Sequence, residues 1–140
     1  LRLYNIDIEE CNVTTKQDNP CDYVTPFDKA VCDFEGKRKT EMLSERGLSC
    51  VDKLPESKDW YIPAIGELHV MYLMKSQINK ALEYIGAELI KGTWYWSSTE
   101  YSAGRAWLLT FNYGYFYTYY TKSNYSFRVR PVSSFTPLTL

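Results

Sequence analysis

Two helical stretches followed by four alternating, aromatic-rich strands predict an α+β domain in this chain of 140 residues. Three observations carry that expectation. An apolar stripe at three- and four-residue spacing runs between Glu67 and Ile85; the period switches from helix to strand after Lys91-Gly92; and Asn112-Tyr113-Gly114 links two alternating segments as a hairpin. A chain of this length fits one domain, 1–140, and buries roughly two-thirds of the surface its unfolded form exposes, enough for a core without metal staples.

Residues 1–24 are polar and irregular except for Leu3, Tyr4, Ile6 and Ile8, whose alternation with Asn5 and Asp7 predicts a first strand. Asp18-Asn19-Pro20 reads as a turn. From Thr25 the pattern becomes helical: Thr25 can cap, Pro26 suits the first helical position, and Phe27, Ala30, Val31 and Phe34 recur at helical spacing. Gly36 and Gly47 bracket a charged piece containing Met42 and Leu43, either a continuation of that helix or a break in it. Trp60-Tyr61-Ile62 before Pro63 predicts a short buried strand or strut. In the second helix Leu68, Met71, Tyr72, Ile78, Leu82 and Ile85 share one stripe, His69 lies beside it partly toward solvent, and Gly86 supplies the stop. Strands follow at 94–99, 106–111, 115–121 and 127–132, forming an antiparallel sheet over 94–132. Trp107, Leu109 and Phe111 take the core side, and Phe116, Thr118 and Tyr120 point opposite to Tyr115, Tyr117 and Tyr119.

Sixteen basic and seventeen acidic residues leave a formal charge of −1, with no basic run beyond Lys37-Arg38-Lys39. That triplet reads as a solvated helix face, and nucleic acid is excluded as a partner because phosphate binding needs a clustered positive field. No apolar run reaches the roughly 18–20 residues needed to span a bilayer. The chain begins at Leu1 rather than Met, which leaves open a removed targeting segment or a preceding domain. Four cysteines, at 11, 21, 32 and 50, contain no Cys-x-x-Cys pair, and the single histidine is remote in sequence, so metal ligation is not expected. Two disulfides in an exported protein have three open connectivities, of which Cys11–Cys21 with Cys32–Cys50 closes the shortest loops; four free thiols are the alternative.

Between Trp94 and Pro131 lie eight of the thirteen tyrosines and three of the four tryptophans. Tyrosine combines a rigid ring, a hydrogen-bonding tip and only two torsions to freeze, and recognition surfaces are rich in Tyr, Ser, Asn and Gly. The expected displayed set is Tyr101, Ser102, Arg105, Tyr113, Tyr115, Tyr117, Tyr119, Tyr120, Asn124 and Tyr125. Ordinary strand packing is the bland alternative, since tyrosine favours strands. Arg105 joins the set because arginine is a frequent interface anchor. Glu100, Arg128 and Arg130 read instead as ion pairs tying strands together, with Glu67 as a further partner. A catalytic reading would use Glu100 or Asp59, but the paired groups of opposed proton affinity that such chemistry needs are not evident in the sequence. No enzyme activity and no cofactor are expected.

Trp60-Tyr61-Ile62-Pro63, Gly66-Glu67-Leu68, Tyr95-Trp96-Ser97-Ser98-Thr99-Glu100, Ala106-Trp107, Phe111, Gly114 and Val129-Arg130-Pro131-Val132 occur in one order and spacing. Over roughly residues 25–135 this ensemble resembles a bacterial C-type-lectin-like domain of the exported group common in gut bacteria. The tail from Trp96 to Phe135 is similar to the variable segment of retroelement-diversified proteins. The resemblance implies two helices packed on a twisted sheet with a long C-terminal hairpin. It implies a frame of Trp96, Trp107, Phe111, Gly114, Val129 and Pro131 beneath the displayed, hypervariable set. The Glu-Pro-Asn, Gln-Pro-Asp and Trp-Asn-Asp triplets of calcium-dependent sugar lectins do not occur, so binding without calcium is implied. The reactive cysteine pair or histidine cluster of enzymatic relatives is also missing. Ala64 stands where the helix-capping serine or threonine is usual, so Glu67 cannot complete a capping box with it. The resulting expectation is an exported domain, at the cell surface or outside it and anchored by lipid through a segment outside this sequence, that binds a protein or glycan. The alternative is a structural tip or assembly domain of a fimbria or other surface polymer.

Overall fold

The computed structural model describes residues 2–56 and 59–134. Phe135, the end of the tail singled out by resemblance, lies outside them. In chain order the strands are β1 (Arg2–Leu3), β2 (Ile8–Cys11), β3 (Trp60–Tyr61), β4 (Trp94–Glu100), β5 (Ala106–Thr110), β6 (Phe116–Tyr117), β7 (Phe127–Val129) and β8 (Val132–Ser133). The helices are α1 (Phe27–Ala30), α2 (Gly36–Glu45), α3 (Ile65–Leu73) and α4 (Lys75–Tyr84). The architecture is α+β, as expected, but the strands form two sheets, ordered β2-β7-β4-β5-β6 and β1-β8-β3.

The larger sheet is mixed rather than antiparallel throughout. After β6 the chain crosses to the far side of β4, so β7 pairs parallel to it with Tyr95 opposite Arg128. The expected strand 127–132 divides at Pro131, whose missing N–H interrupts the ladder, and β8 joins the second sheet. The expected first strand likewise divides into β1 and β2, which sit in different sheets, and Ile6 between them is exposed.

Both faces of β4 and β5 are covered, which period-two reading of one strand cannot reveal. On one side Tyr95, Trp107, Leu109 and Phe111 meet Ile65, Leu68, Met71 and Leu82 of the helices. On the other, Trp96 and Leu108 meet Leu43 of α2, Ile62, Cys11 and Cys50. Trp107, Leu109 and Phe111 thus take the expected core side, with a second core behind them. Burying each such side chain contributes about 1.5–3 kcal/mol.

The helices are shorter than their stripes suggested. The first is a single turn that leaves Phe27 and Phe34 exposed, and a separate helix, α2, starts at Gly36. The second breaks at Met74, whose φ of −105° and ψ of 16° leave the helical region, and Ile85 ends exposed. Gly66 opens α3 against the backbone: a Cβ there would come within 2.5 Å of the Asp33 carbonyl oxygen. Glu67 works as half a capping box. Its Oε1 accepts from the N–H of Ala64 and of Gly36, both at 3.0 Å, and its Oε2 accepts from the Tyr61 hydroxyl at 3.0 Å. It thereby joins the starts of α2 and α3 rather than pairing with an arginine.

Arg128 and Arg130 are structural, as expected, but their partners are Asp7 and, for Arg128, also Glu88. Arg130 Nη1 lies 2.9 Å from Asp7 Oδ1 and Arg128 Nη1 3.1 Å from Asp7 Oδ2. Lys39 departs from the solvated triplet: it is buried, with its ammonium 2.5 Å from Asp33 Oδ2. The folding of β2 against the segment after α2 joins Cys11 to Cys50, across 39 positions, in place of either short-loop pairing, while Cys21 and Cys32 are free and exposed.

Candidate functional site

The β5–β6 hairpin carries the tyrosines. Gly114 N–H donates to the Thr110 carbonyl at 2.7 Å and Thr110 N–H to the Tyr115 carbonyl at 3.0 Å, closing the turn. Gly114 has φ of +74°, where L side chains are strained, and a Cβ there would run into the Tyr72 ring. Leu108 then faces Tyr117 and Leu109 faces Phe116. Phe116 turns toward the helices, edge-on to Phe27 at 5.0 Å and His69 at 5.1 Å, whereas Tyr117 joins the opposite side against Trp94 at 4.6 Å.

Beyond Tyr117 the expected strand gives way to a loop, and pairing resumes only at the bridge between Arg105 and Thr121. Lys122 anchors that loop. Its backbone N–H donates to the Gly104 carbonyl at 2.8 Å, and its buried ammonium lies 2.8 Å from Glu100 Oε2. Arg46 holds the other oxygen of Glu100. A triad of one carboxylate between two cations therefore fixes the loop from beneath.

Above it the rings form a connected array. Tyr113 and Tyr115 stack at 5.6 Å, Tyr115 meets Tyr117 at 6.4 Å, and Trp94 links Tyr117 to Tyr120 and Phe127 at 5.2 and 5.8 Å respectively. Tyr125 completes it against Tyr120 at 4.9 Å and stacks on Phe127 at 5.8 Å. Tyr119 meets Tyr120 at 5.4 Å, and the Arg105 guanidinium lies 5.8 Å from the Tyr119 ring. Tyr113, Tyr115, Tyr119 and Tyr125 are 66, 56, 70 and 41 % exposed; Tyr117 and Tyr120 are half-buried. Among the described residues the phenol oxygens of all six make no hydrogen bond to protein, and none is a buried unpaired atom, so they face water. Such a surface can stack on flat apolar groups while its hydroxyls both donate and accept.

Of the expected set, the fold brings together Tyr113, Tyr115, Tyr117, Tyr119, Tyr120 and Tyr125, with Arg105 at the edge. Tyr101 is half-buried against Trp107 at 5.9 Å, on the helix side, and its N–H and that of Ser102 both donate to the Arg105 carbonyl. Those two residues shape the 101–105 loop and make no ring contact with the array. Asn124 is exposed in the anchored loop. Sequence reasoning missed Trp94 and Phe127 as the array's floor and Lys122 as its anchor. The one available signal was the acid Glu100 on a buried strand, which requires a cation.

No protein-family model and no curated protein matches the chain. Among solved structures it is similar to a fimbrial protein from Bacteroides ovatus, with 19 % sequence identity and a TM-score of 0.66 over 92 % of this chain. The chain spans 35 % of the length of that protein.

Proposed function

We propose that the chain is a module of a fimbria or other cell-surface polymer, exported and displayed outside the cell, and that its tyrosine array is the surface by which it meets a protein partner. The observation that carries this is the likeness of almost the whole chain to a fimbrial protein, joined to an array whose rings are exposed yet held by Trp94, Phe127 and the Lys122 anchor. Rigid aromatic groups with water-facing tips lose little entropy when covered by a partner. Sedimentation of the isolated domain over rising concentration, alone and mixed with sibling subunits, tests it. Association is expected, and Tyr115→Ala with Tyr119→Ala should abolish it while shifting unfolding free energy by less than about 1 kcal/mol, as for exposed positions. A monomer at every concentration with no affinity for siblings would overturn the assembly role.

The second reading is a receptor-like surface that grips a glycan or a foreign protein without calcium, and the Arg105 guanidinium over Tyr119 favours it, because that pair is laid out as an exposed anchor. It predicts binding on a glycan and host-protein array, lost on Arg105→Ala, by a domain that stays monomeric. The C-type-lectin-like assignment of the frame belongs to the same proposal and rests on the ordered motifs from Trp60 to Val132. Diversification of the displayed positions requires a near-copy of their coding segment and a reverse transcriptase nearby in the DNA; absence of both would leave an undiversified adhesin.

A further inference from the structure

We infer that the cleft between α2 and β3 is a second binding site, separate from the tyrosine array, which takes an extended basic segment of another polypeptide. The cleft has a volume of about 680 Å³ and shares no lining residue with the array. Its apolar wall is made by Val51, Leu54, Pro55, Trp60 and Tyr61. Glu41, Glu45, Asp52 and Glu56 also line it, and Lys37 is the one cation among its described lining residues.

The four carboxylates of the cleft are exposed, and among the described residues none forms an ion pair. The nearby Lys53 does not neutralise them, since its ammonium donates to the Glu10 carbonyl at 2.7 Å. Nor do they converge on one point, because no group of three or more acids close enough to hold a metal ion exists among the described residues. Charges spread along an apolar cleft match cationic side chains spaced along a chain, each finding its own carboxylate while intervening apolar side chains cover the wall.

The cleft is separate from the array, and its site stands whether or not the array is the assembly surface.

The test is an NMR titration of the intact chain with a short peptide alternating Lys and Leu, and with its Glu-Leu counterpart. Saturable shifts are expected in the Trp60 indole N–H and the Glu41 and Glu45 amides with the Lys-Leu peptide alone. E41Q/E45Q, both at exposed positions, should weaken that binding about tenfold, and raising salt from about 0.05 to 0.5 M should weaken it further by screening. The Tyr115→Ala chain should bind the peptide like wild type. Absence of saturable shifts, equal binding of the Glu-Leu peptide, or indifference to E41Q/E45Q would overturn the site. Loss of binding on Tyr115→Ala would move the peptide to the tyrosine array and overturn it equally.

Discussion

Glu67 shows how one side chain can organise two helix starts. It accepts three hydrogen bonds in a buried position, from Ala64, Gly36 and Tyr61. Burial nonetheless pushes its carboxyl above the usual range, helped by the nearby Asp33 carboxylate and opposed by those hydrogen bonds. A carboxyl whose folded pKa is raised holds its proton more tightly in the fold than in the unfolded chain, so the stability it contributes is full below about pH 4, the unfolded value, and is lost as pH rises through the folded value. Glu67→Gln keeps an acceptor for the two N–H groups and does not titrate. Its unfolding free energy, measured in urea from acid to neutral pH, is therefore expected to rise relative to wild type with increasing pH; a constant difference would show that Glu67 titrates alike in both states. That Glu67 would mark a helix start was legible from Gly66-Glu67-Leu68, but its bonds to Gly36 and Tyr61 were not, because those residues are brought to it by the fold.

The loop between β6 and β7 has little regular structure of its own, and its position depends on the Lys122–Glu100–Arg46 triad. Removing the sole partner of a buried charge costs about 3–5 kcal/mol, but Lys122→Met leaves Glu100 paired with Arg46. The variant is therefore expected to lose less than that, and to raise amide exchange through 118–126 more than in β4 or β5, as read by hydrogen exchange; uniform acceleration would show that the lysine supports the whole domain rather than this loop. The hairpin itself was readable from Asn112-Tyr113-Gly114 and its flanking alternation. The end of β6 was not, since Tyr115 to Thr121 alternates throughout and only the bridge of Thr121 to Arg105 and the anchoring of Lys122 pull the chain off the ladder. The division of the long helix at Met74 was invisible for a similar reason: the apolar stripe persists across the break.

Across the molecule, stability and recognition are assigned to different groups. Two cores flank β4 and β5, and the Cys11–Cys50 link ties β2 to the segment after α2. Closing a loop of 39 positions is worth about 4 kcal/mol on the chain-entropy argument. Reduction by a thiol should lower the urea midpoint accordingly without altering the exposed tyrosines, and an unchanged midpoint would show that the link is dispensable. Period and composition alone determined the α+β class, the hairpin, the core side of Trp107 to Phe111 and the concentration of phenols near the C-terminus, because each is written in local spacing. Tertiary structure alone decided which strands became neighbours, that β7 runs parallel to β4, that Cys11 meets Cys50, and which tyrosines share one surface. Those outcomes depend on contacts between residues far apart in the chain, where burial of both sheet faces and the pairing of buried charges, rather than local preference, select the arrangement.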